Sequence, residues 1–182
     1  IGLLIKYYKT GDLKTWDDYN IAWLQATEGN IDYINGFVEV YNDPLGARGS
    51  YESVVQIKDF DMSAKMEKIG HEAQWFEDNS PLDPKHKKKK VVGISYKTVV
   101  VAGEGGDSSP STPIGVNLPN ADWIRAEHGS KSVSLGNIVE AYNNAGGSDR
   151  LKEFAHDAEE IALEEKYGEE ADKLHTALHE VV

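Results

Sequence analysis

Two histidines and a glutamate in "KLHTALHEVV", residues 173–182, are the side chains of this 182-residue chain best suited to metal chemistry. His175 and His179 are four apart, so on a helix they leave the same face and could hold one metal ion together. With a third ligand and a water on the metal, an adjacent carboxylate such as Glu180 could take the proton as that water attacks a carbonyl. The glutamate, however, follows the second histidine and does not lie between the two. A bare pair of this kind is also what an ordinary acidic helix surface presents, so other stretches must decide. The chain has no cysteine, which rules out a disulfide framework and leaves His, Asp and Glu as its metal ligands.

Other residue patterns carry weaker signals. Glu39 and Tyr41 are two apart in "GFVEVY", so on a strand they face one side. The glycines of "GEGGDSSPSTP" lack the GK[ST] that would set a lysine on phosphates, and the segment reads as a connection. Glu159 and Glu160, and the five lysines between Lys85 and Lys90, read as solvated surface, and no function is assigned to them. Nor is one assigned to His71 or His128.

The elements that must position these groups follow from periodicity. Leu13, Trp16, Tyr19, Trp23 and Leu24 mark a helix bracketed by Gly11 and Gly29. "IDYINGFVEVY" and "GSYESVVQI", separated by "NDPLGARG", predict a β-hairpin. Asp61 can cap a helix through "MSAKMEKIGHEAQWFED", ended by "NSPLDP". A strand from Val91 to Ala102 and a short extended "PIGVNLP" come next. After Asn120, which can cap "ADWIRAEH", the chain reads as helical to its end. Leu151, Phe154, Ala155, Ala158, Ile161 and Ala162 form one helical face, and Gly168 breaks the pattern before it resumes.

A net charge of -12 argues against nucleic acid, whose binding needs clustered lysine and arginine. No apolar run approaches the roughly 20 residues of a membrane span. The N-terminus has neither an initiator Met nor the basic start of a signal peptide, and the chain reads as an excised piece of a longer protein. A cytoplasmic location is expected, consistent with the missing cysteines.

"GFVEVYNDPLGARGSYE", "MSAKMEKI", "AQWFEDNSPLDP", "STPIGVNLPNADWIRAEHGSKSVSLGNIVEAY" and "LHTALHEVV" resemble, in order, blocks of the dipeptidyl peptidase III family, the M49 zinc metallopeptidases, most closely their bacterial members. The resemblance covers nearly the whole chain. It implies an exopeptidase that releases dipeptides from oligopeptide N-termini with Zn2+ as cofactor. By the same resemblance His179 is the first zinc ligand and Glu180 the catalytic glutamate of a HExxGH helix, while His175 is no ligand. That motif has one residue more than HExxH, so a local bulge must return its second histidine to the metal. Here the chain ends at Val182, where the family continues with glycine and that histidine; the third ligand, a glutamate, comes later still.

Glu39 is implied to receive the substrate's α-amino group and Tyr41 to hydrogen-bond the scissile carbonyl as charge develops. Asn117 is implied to bind the peptide backbone, Asn120 to help hold the amino end, and Arg125 to lie near the site. The expected fold is α+β: residues 1–119 contribute the hairpin and strands of a barrel-like, substrate-binding lobe, and residues 120–182 the helices that lead into the zinc helix of the other lobe. The piece by itself is expected to be inactive. An alternative reading is a non-catalytic peptide-binding or interaction module.

Overall fold

The structure, a computed structural model, describes residues 1–39, 49–91, 94–109, 112–145 and 148–181. Its elements are α1 (Gly2–Thr10), α2 (Leu13–Gln25), β1 (Ile31–Glu39), β2 (Ser50–Lys58), α3 (Phe60–His71), α4 (Ala73–Asn79), a 3-10 turn (Pro84–His86), β3 (Ile94–Gly106), β4 (Gly115–Leu118), α5 (Asp122–His128), β5 (Ser130–Leu135), α6 (Gly136–Ala145), α7 (Ser148–Phe154) and α8 (Ala158–Val181). The fold is α+β, and the five strands form one sheet in the order β1-β2-β3-β5-β4. β1 and β2 make the expected antiparallel hairpin.

One face of the sheet carries the hydrophobic core. Ile34, Val54, Val99, Val116 and Val133 point from it toward Leu4 and Tyr7 of α1 and Trp16, Tyr19 and Trp23 of α2. The Trp16 ring sits between those of Tyr7 and Tyr19, with centroids 4.9 and 5.3 Å away. α2 begins where Asp12 accepts the N–H groups of Lys14 and Thr15, and α1 ends in the left-handed turn at Gly11. The opposite face is covered by α3, α6 and α8. There Ser63 of α3 donates to the Thr98 carbonyl at 3.0 Å.

Five expectations are corrected. The chain after Asn120 is not all helical: Ser130–Leu135 is a strand, parallel to β3 and antiparallel to β4, and all its residues are buried. The serines and Lys131 of "SKSVSL" hide this, because a buried lysine is not expected without a partner. Lys131 has several. Its Nζ donates to Asp32 Oδ2 at 3.0 Å and to the Ala26 carbonyl at 2.9 Å, and lies 4.2 Å from the centroid of the Trp23 ring. Burial nevertheless holds its pKa below the ordinary lysine value, against the pull of Asp32.

Asp61 does not cap α3. Asp59 does, accepting the Met62 N–H at 3.0 Å, and Asp61 falls within the first turn. The following helix is interrupted at Glu72, giving α3 and α4. Near the C-terminus the break lies between α7 and α8, not at Gly168, because Asp157 Oδ1 accepts the Glu160 N–H at 2.9 Å and starts α8 afresh. Asn120, finally, is not the cap of α5, whose N-cap residue is Ala121. Its amide is engaged elsewhere.

Candidate peptide site

The site is built from two segments far apart in sequence. In β1 the ladder shifts register between Phe37 and Glu39, so Val38 is an extra residue in the strand. Such a bulge withdraws one peptide unit from regular pairing. Here the Val38 carbonyl accepts the Asn120 side-chain amide at 2.7 Å. The bulge is preceded by Gly36, at φ 148°, where any side chain would collide with the Trp16 ring. Glycine thus lets β1 lie directly on the core tryptophan.

Asn120 follows β4 through the cis peptide Leu118–Pro119. Because its NH2 group is fixed on a carbonyl, its Oδ1 is the end left to accept from a ligand, and it makes no hydrogen bond among the described residues. The sequence reading set Glu39 next to this position in the site, and the structure brings Asn120 to the residue just before it. The Glu39 side chain and the whole of Tyr41 lie outside the described residues.

Asn117 sits in β4 opposite Ser132 of β5. Alternation turns it away from Val116 and Leu118, which enter the core, toward the face on which α8 packs across β5 and β4. It shares a cleft of about 580 Å3 with Arg125 of α5. Asn117 and Arg125 therefore stand together, and Asn120 stands with Val38. Lys88, Lys89 and Lys90 also line the Asn117 cleft, a placement the sequence reading missed. Only the fold of the loop toward α5 reveals it.

His179 is exposed on α8, which runs as regular α-helix through Val181 and also carries His175, likewise exposed. Glu180 lies in the same turn, with its side chain outside the described part. Among the described residues no group of three or more His, Cys, Asp or Glu could hold a metal ion. Two exposed imidazoles on one helix are not a zinc site, which takes three or four protein ligands, so the residues described do not by themselves fit Zn2+.

This arrangement of sheet and helices recurs in solved peptidases. The structure of DPP III from Caldithrix abyssi superposes with a TM-score of 0.71 at 25% identity, covering 87% of this chain and 30% of that one. Dipeptidyl-peptidase III from Corallococcus sp. strain EGB gives 0.63 at 27% identity over 70% of this chain and 25% of its own. In sequence the chain is 32% identical over 136 residues to dipeptidyl peptidase 3 of Nematostella vectensis, covering 75% of this chain and 18% of the relative. With dipeptidyl peptidase 3 of Dictyostelium discoideum it shares 29% over 182 residues, 98% of this chain and 25% of the relative. The chain thus spans a quarter or less of these curated relatives. Fold and sequence together relate the chain to dipeptidyl peptidase III proteins. The model described as Peptidase family M49 matches residues 1–182, and the chain belongs to that family.

Proposed function

We propose that the chain is part of a zinc-dependent, cytoplasmic dipeptidyl peptidase III that releases dipeptides from oligopeptide N-termini. The observation that carries this reading is the Asn120 bond to Val38, which leaves a carbonyl acceptor, Oδ1, beside the strand end that bears Glu39. The amide oxygen suits an N–H donor of a substrate's α-ammonium group, and Glu39 would supply the carboxylate that the family resemblance assigns to the same group. Fixing that end fixes which peptide bond reaches the reacting groups.

β4 supports the rest of the reading. It is an edge strand of the sheet, so an extended peptide can add to it through backbone hydrogen bonds, with Asn117 bonding the same backbone. Recognition of that kind places few demands on side chains. Arg125 stands beside Asn117 to orient the bound chain. Glu180 would take the proton from the attacking water, and the Tyr41 hydroxyl would donate to the oxygen on which negative charge develops. His179 would be one zinc ligand, with the others supplied by residues this chain does not contain.

The experiment is to read the coding frame immediately after Val182. Glycine followed by histidine is expected, with a ligand glutamate further on; any other continuation overturns the assignment of His179 and Glu180.

A further inference from the structure

The cleft that contains Asn117 is lined by more basic than acidic side chains, opposite to the balance of the whole chain. Lys88, Lys89, Lys90 and Arg125 line it against two carboxylates, Glu77 and Asp122, in a chain of net charge -12. One of those carboxylates is already engaged, since Glu77 Oε1 accepts the Lys88 backbone N–H at 2.6 Å. Among the described residues none of the four cations forms an ion pair with Asp or Glu. Other lysines of the same run are occupied: Lys85 lies 3.4 Å from Asp83, and Lys87 donates to the Asp78 carbonyl at 2.7 Å. Within the run, Lys88, Lys89 and Lys90 are the lysines that line the cleft. At about 580 Å3 it falls inside the roughly 300–1,000 Å3 of ordinary ligand sites, enough for a short stretch of peptide.

We infer that this cleft binds a carboxylate-bearing part of a peptide ligand, with Lys88, Lys89, Lys90 and Arg125 as its counter-charges. The inference rests on the peptide-binding reading above and adds a preference for acidic peptides to it. A long polyanion is disfavoured by the charge of the whole chain, whereas one or two carboxylates meet only the local field.

Calorimetry of residues 1–182 at low ionic strength tests this. The ligands are a pentapeptide carrying Asp and Glu beyond its second residue and its Asn/Gln counterpart, each as C-terminal acid and as amide, with inorganic phosphate as a separate titrant. The acidic peptide should bind roughly tenfold more tightly, as expected for several solvent-screened charge contacts acting together, and lose that advantage as salt is raised. The triple variant K88Q/K89Q/K90Q should abolish the preference, and K85Q/K87Q, in the same run but not lining the cleft, should retain it. A loss of affinity on amidation alone assigns the carboxylate to the peptide terminus, and a loss on Asp and Glu replacement assigns it to side chains; either supports the inference. Equal binding of all four peptides, no binding of any, persistence of the carboxylate preference in the triple variant, or binding of phosphate alone overturns it. The coding frame beyond Val182 is unaffected by any of these results, so failure here is distinct from failure of the peptidase assignment.

Discussion

Asn120 joins two segments 82 residues apart through one side-chain bond, and that bond orients the rest of the amide. An asparagine that capped α5 would turn its oxygen to the helix N–H groups and have none to offer a substrate. Replacing Asn120 with Ala should cost about 1 kcal/mol in urea unfolding, the usual net worth of one such hydrogen bond. Asn120→Asp should cost at least as much, since a carboxylate cannot donate to the Val38 carbonyl. Equal stability of the variants and the parent would remove the bond from the account. The sequence alone could not choose between cap and bridge, because both use the same residue type and the deciding partner is a backbone carbonyl exposed by a bulge.

At the scale of elements, helix starts are set by carboxylates whose choice is local and whose position is not obvious. The sequence pointed to Asp61 as the cap of α3, and the geometry selects Asp59. Asp59→Ala should therefore destabilise by about 1 kcal/mol and Asp61→Ala by under about 0.5 kcal/mol, measured by thermal or urea melts. A reversed order would refute the assignment. For α8 the cap has a pH signature. The Glu160 N–H, with His156 second, holds the Asp157 carboxyl below its ordinary value of 3.8. A depressed carboxyl contributes stability that is fully present above the unfolded value and lost as pH falls through the folded one. Acidification below about 3.8 should thus remove helix signal that Asp157→Ala lacks from the outset. A titration identical in both proteins would exclude the cap.

For the whole molecule, the core and the catalytic reading make different demands. The sheet with α1 and α2 on one face and α3, α6 and α8 on the other has its own buried interior, whereas the described residues contain no complete metal site. The purified chain should therefore fold but leave a dipeptidyl-arylamide substrate uncleaved, and His175→Ala should not alter whatever weak zinc uptake it shows. Turnover by rigorously pure chain, or tight zinc binding lost on that substitution, would overturn the assignment of roles on α8.

What the amino-acid order determined by itself was the hairpin, the helix under Trp16 and Trp23, the α+β class and the family, because these rest on local periodicity and on ordered blocks of residues. What only tertiary structure decided was the interior strand β5, the position of Asn120 on Val38 and the charge of the Asn117 cleft. Lys131 is tolerable in a buried strand only because Asp32, the Ala26 carbonyl and Trp23 meet it from distant segments. Lys88–Lys90 become one wall of a cleft only because α5 forms the other. In each case the physical cause is a partner that local sequence does not contain.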